Sequence, residues 1–124
     1  MGPRIALGIT TSLHDAVIDQ FSFDAARSRL ESIIWESNED KSVVWWRLII
    51  SGIRNRKEVQ QFQATIDAIL VREKRKSLGF RIDESSYKKQ AASENDVIYI
   101  VSLFIDHLPL LRVECQKCTL LCLN

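Results

Sequence analysis

The chain has 124 residues, of which 46% are hydrophobic and 27% charged, and its 17 basic and 16 acidic side chains leave a formal net charge of +1. That length buries enough surface to fold without disulfide or metal staples, and four Gly and two Pro exclude a collagen-like or low-complexity chain. No run approaches the ~20 apolar residues of a membrane helix, so no membrane partner is expected, and an odd set of three cysteines confined to the last ten residues points to a reduced, intracellular chain, in cytoplasm or nucleus.

The near-neutral total hides a partition. Residues 1–40 carry three basic against seven acidic side chains, residues 41–81 ten against three, and residues 82–124 four against six. A basic middle attracts phosphate backbones through counterion release. It also pairs with acidic surface, either in the same fold or on another chain.

Between about Ser12 and Glu36, Leu13, Val17 and Phe21 recur at four-residue steps, and Ala26, Leu30, Ile33 and Ile34 follow. The spacing predicts two short helices or one kinked helix, with Ser22 or Asp24 as the second cap. Residues 42–53 are ambiguous. Val43, Val44, Trp45, Trp46, Leu48, Ile49 and Ile50 favour a strand. Val43, Trp46, Ile50 and Ile53 also make a helical stripe, with Glu39 and Asp40 before it and Arg54 and Arg56 after it, as a helix dipole prefers. The reading adopted is a buried helix.

Arg56 to about Lys76 is the firmest helix. Val59, Phe62, Ile66, Ile69 and Leu70 share one face, Asn55 and Glu58 suit a capping box, and Gly79 suits a stop. Residues 83–96 are polar and linker-like. Val97 to Leu108 is apolar nearly all round and predicts a central helix. Pro109 fits the first turn of a further helix, along which Leu111, Cys115, Cys118 and Cys122 recur at steps of four, three and four. The fold expected is therefore mostly α: one compact five- or six-helix domain over residues 1–124. The alternative is α+β with a small sheet, its strands near 4–10, 42–50, 97–105 and 110–122.

Chemistry-bearing patterns are sparse. Cys115, Cys118 and Cys122 supply three thiols where a structural zinc wants four ligands. His107 is the nearest nitrogen, and a straight helix cannot gather these residues around one ion. Buried, reduced, structural cysteines are the expectation. His14 and His107 each adjoin an aspartate, outside any nucleophile motif. The four glycines are too scattered for a phosphate loop. No catalytic, cofactor-binding or metal-binding residue is assigned, and no small-molecule substrate is inferred.

The expected function is non-enzymatic: a protein-interaction or oligomerisation module, adaptor- or scaffold-like. It would bind a protein partner or a second copy of itself through Trp45, Trp46 and Phe104. Trp is enriched at interface hot spots, although neighbours such as Trp45 and Trp46 cannot share one face of a helix or strand. The alternative is a domain binding RNA or DNA through Arg54, Arg56, Lys57, Arg72, Lys74, Arg75 and Lys76 of the basic segment 41–81.

Overall fold

Period-two alternation, not the helical stripe, organises most of this chain. A computed structural model describes residues 5–7, 13–76 and 78–123. In chain order the elements are β1 (Ile5–Leu7), β2 (Val17–Asp24), β3 (Arg29–Ser37), β4 (Val43–Ser51), α1 (Arg56–Glu73), β5 (Phe80–Ser93), β6 (Asp96–Ile105), β7 (Leu111–Cys115) and β8 (Lys117–Cys122). All pairings are antiparallel, in the order β1-β8-β4-β3-β2-β5-β6-β7. This overturns the five- or six-helix domain. The α+β alternative put strands where β4, β6, β7 and β8 run, but it missed β2, β3 and β5, and its sheet was too small. Its strand at 4–10 contains β1, and the remainder of that range lies outside the described residues.

The helices expected over 12–36 are the β2–β3 hairpin, apart from Ser12, which lies outside the described residues. On β3, Leu30, Ser32 and Ile34 point inward and are buried, alternating with Arg29, Glu31, Ile33 and Trp35. On β2 a register shift between Ile18 and Gln20 moves the inward parity from Ile18 to Phe21. That β-bulge puts one extra residue opposite the partner strand, and Ser32 Oγ donates to the Gln20 carbonyl beside it at 2.8 Å. The β3–β4 turn is set by Asp40, which accepts from Ser42 N at 3.0 Å and Ser42 Oγ at 2.6 Å. Those bonds from Ser42 hold the Asp40 carboxyl below its usual range.

The buried helix expected over 42–53 is strand β4, paired with β3 from Arg29↔Ser51 to Ser37↔Val43. Leu48 and Ile50 face the core. The linker expected at 83–96 is the distal part of β5, the Glu94–Asn95 turn and the start of β6. The expected central helix is β6, whose Val101, Leu103 and Ile105 enter the core. Ile98, out of phase with them, is buried apart from that cluster. A strand apolar on both faces loses the alternation that would mark it. Residues 106–110, including Pro109, form a loop, and the last expected helix is β7 and β8 with Gln116 between them.

The helix over 56–76 holds, ending at Glu73. Val59, Phe62 and Ile66 are buried, Ile69 and Leu70 pack against the core, and the Phe21 and Phe62 rings lie 5.4 Å apart. Lys74, not Gly79, ends it, in the left-handed conformation at φ 54°. Asn55 occupies the N-cap position without capping. Its Oδ1 accepts the Glu114 N–H at 2.8 Å and its Nδ2 donates to the Arg112 carbonyl at 2.6 Å. It thereby serves the free edge of β7 as a neighbouring strand would. Gln63 Oε1 does the same for β2, accepting the Phe23 N–H at 2.9 Å.

The sheet curls. β7 ends one edge of the order and β8 lies next to the other, yet a single residue joins them. One residue advances the chain only about 3.5 Å, so the two ends of the sheet must meet. β5 turns the opposite corner, pairing with β2 at Phe80 and Arg81 and with β6 from Ile82 onward. Helix α1 packs against β2 and β7 on the inward side. No helix among the described residues is long and apolar enough to cross a membrane.

Candidate interaction surface

The outward faces of β3, β4 and β8 carry no helix among the described residues and are apolar toward one end. Register places Trp35 opposite Trp45 and Ile33 opposite Arg47, with Leu121 opposite Arg47 from the other side. The Trp35 and Trp45 rings are 6.4 Å apart and tilted by 47°, a favourable aromatic arrangement. Leu123 continues the ladder, donating its N–H to the Trp45 carbonyl at 2.9 Å. Exposure stays high for such residues: 39% for Val43, 36% for Trp45 and 44% for Leu123. The other end of the face is polar, with Arg29 and Glu31 paired at 2.8 Å. Arg47 is exposed among the apolar side chains, and no carboxylate among the described residues lies within ion-pair distance of it.

Trp45, Trp46 and Phe104, the expected partner-binding residues, occupy three places. Trp46 faces inward, packs against the core and donates Nε1–H to Glu36 Oε1 at 3.1 Å. Phe104 is 49% exposed but lies on β6, separated from β4 in the sheet by β3, β2 and β5. There it lines an open cavity of about 600 Å³ with His14, Asp83, Glu84 and Ser85. Only Trp45 belongs to the outward face. Sequence reasoning passed over Trp35, Ile33 and Arg47, although alternation with Leu30, Ser32 and Ile34 was the signal that places the first two there.

The basic residues divide as well. Arg54 pairs with Asp96 at 2.6 Å, and Arg56 Nη1 donates to the Ala25 carbonyl and Ser28 Oγ at 3.3 Å each. Arg75 pairs with Glu73 at 2.6 Å and lies 5.2 Å from the Phe80 ring centre. Lys57, Arg72, Lys74 and Lys76 are exposed. These remaining cations sit at opposite ends of an 18-residue helix, some 25 Å apart at about 1.5 Å per residue, so they form no single patch.

Cys115 and Cys118 are fully buried free thiols on β7 and β8, and Cys122 is half-buried. Burial pushes the Cys115 thiol up to about 11, and burial followed by the neighbouring Cys115 pushes Cys118 up to about 12. Both are neutral and unreactive at physiological pH. Cys115 Sγ lies 3.5 Å from the Tyr99 carbonyl. His14 Nδ1 is 2.6 Å from the Asp83 carbonyl, and His107 Nε2 is 3.6 Å from Asp106. Among the described residues no three His, Cys, Asp or Glu side chains gather in a way that could hold a metal ion.

Comparison with protein-family models, with curated proteins and with solved structures finds no match to this chain.

Proposed function

We propose that the protein is a non-enzymatic protein-interaction module whose docking surface is the outward face of β3, β4 and β8. The observation that carries this reading is the clustering of Trp35, Val43 and Leu123 around Trp45, with Arg47 next along β4, on one face that carries no helix among the described residues. Trp and Arg are the residues most enriched among interface hot spots, and contiguous exposed apolar patches mark interaction sites. Arg47 defines the partner's chemistry: an apolar protein surface bearing a carboxylate. A second copy answers this less well, because Glu31, the acid near this face, is already held by Arg29.

Selection of displayed random peptides on the full chain tests the reading. Enriched peptides are expected to place an apolar residue beside Asp or Glu. Trp45→Ser should abolish enrichment, and Arg47→Gln should remove the preference for acid. Enrichment that survives Trp45→Ser, or none at all, overturns the proposal. A concentration-dependent dimer in light scattering, abolished by Trp45→Ser, would put a second copy in the partner's place.

A further inference from the structure

Strand β5 runs on past the corner with one side open. Phe80 and Arg81 pair with β2, and Ile82 bonds to Asp15 and Ala16. Beyond them, among the described residues, β5 pairs only with β6. Register fixes which residues face the open side. Asn55 takes up the Arg112 carbonyl and the Glu114 N–H on the outer edge of β7. Backbone direction alternates along a strand, so Leu111, Val113 and Cys115 face β6, and their partners Leu103, Val101 and Tyr99 face β7. Ser85, Tyr87 and Lys89 lie opposite those partners and therefore turn N–H and C=O away from β6. Among the described residues none bonds to these backbone groups. An edge of this kind is a template for another strand.

The charges along this edge select the strand that fits it. The run Glu84-Ser85-Ser86-Tyr87-Lys88 is antisymmetric in charge about Ser86. Glu84 and Lys88 are exposed, and among the described residues neither has an ion-pair partner. Glu84 and Phe104, opposite each other on β5 and β6, border the open cavity of about 600 Å³. Glu84 and Asp83 line that cavity, and no Lys or Arg among the described residues does.

We propose that the open edge of β5 binds the same edge of a second copy, antiparallel and centred on Ser86. Ser85 then lies opposite Tyr87 of the second copy, and both exchange the backbone bonds that they hold outward. Glu84 lies opposite Lys88 of the second copy, in the non-hydrogen-bonded kind of pair where side chains come closest. The two-fold axis makes each of these contacts twice. Centring on Lys88 or Lys89 would set that lysine against its own copy, which destabilises, and centring on Tyr87 would leave Lys88 opposite serine. The ladder stops at Glu84, because Asp83 is the extra residue of a β-bulge and His14 and Asp15 stand beside the edge there. A bulged strand bends, so the second copy's hairpin runs straight on outside that turn. The edge lies apart from the Trp45 surface, so neither proposal rests on the other.

Sedimentation equilibrium of the full chain from micromolar to millimolar concentration tests this. One short strand from each copy is a small contact, so a weak, concentration-dependent dimer is expected, formed equally by Trp45→Ser. Glu84→Lys and Lys88→Glu each set like charges opposite one another at both contacts, and each should weaken the dimer by about tenfold or more. Both positions are exposed, so the variants keep the fold. An equal mixture of the two variants should dimerise again, as should the chain carrying both substitutions. Amide exchange at Ser85 and Tyr87 should slow as the dimer forms. A monomer at millimolar concentration overturns the proposal and makes Lys88 and Lys89 guards of the edge. A dimer that neither charge reversal weakens, or one lost in Trp45→Ser, overturns it too.

Discussion

Single side chains close this sheet where strands do not. Asn55 makes two bonds to β7 that a ninth strand would otherwise supply. Asn55→Ala leaves the Glu114 N–H and the Arg112 carbonyl unserved, and should cost about 1–3 kcal/mol in urea unfolding. Asn55→Asp keeps the acceptor for Glu114 and loses the donor to Arg112, so it should fall between alanine and wild type. The thiols give a prediction in pH. Folding raises the pKa of Cys115 from 9.0 to about 11 and of Cys118 from 9.0 to about 12. Both states are neutral below about 9, so these groups add no pH dependence there. Above it the unfolded chain releases protons that the folded chain keeps. Stability should therefore fall as pH rises through the window from 9.0 to about 12. The slope should approach about 1.4 kcal/mol per pH unit for each thiol. Urea unfolding at stepped alkaline pH checks this, with the Cys115→Ala, Cys118→Ala double variant as the flat control. Alkylation should label Cys122 well before the other two.

At the scale of elements, α1 and the strands were not equally legible. In α1 the stripe Val59, Phe62, Ile66 includes a three-residue step, which only a helical period explains, and no competing alternation runs through it. Phe62 joins that helix to Phe21 of β2, and Phe62→Ala should cost about 3–5 kcal/mol and loosen the helix first, as seen by hydrogen exchange. In the strands most steps are of four, and four satisfies a period of 3.6 and a period of two alike. Leu30 to Ile34, Leu111 to Cys115 and Cys118 to Cys122 each keep one strand face. The three-residue step from Cys115 to Cys118 spans the bend at Gln116, and that irregularity imitates a helical stripe. Leu30 to Ile33 and Val43 to Trp46 instead join opposite faces of regularly paired strands, because the outward faces of β3 and β4 carry apolar residues as well.

For the whole molecule, the last strand is not peripheral. β8 lies between β1 and β4, and its pairing with β4 runs from Trp46↔Cys122 to Ser51↔Lys117. Removing residues 117–124 should strip one edge of β4, expose Leu48 and Ile50, and abolish cooperative unfolding in circular dichroism. Pairing between strands so distant in sequence also makes closure slow. Refolding is expected in milliseconds to seconds, the range of sheet topologies rich in non-local pairs, as stopped-flow tryptophan fluorescence would show.

The sequence by itself determined those features whose cause is local. Helix α1 follows from its period, and the opposite facing of Trp45 and Trp46 from their adjacency. The apolar character of 97–105 marked it as interior, though not as a strand. Only the tertiary structure decided which face of β4 the helix leaves open, and that Trp35 joins Trp45 there while Trp46 turns to Glu36. It also decided that Asn55 serves a strand 57 residues away instead of its own helix, and that the β7–β8 bend meets Tyr87 and Tyr99 around a cavity. The physical reason is one of range. Periodicity records which side of a segment is apolar, whereas hydrogen-bond register and the curl of a sheet arise between segments, where no single stretch of chain carries the signal.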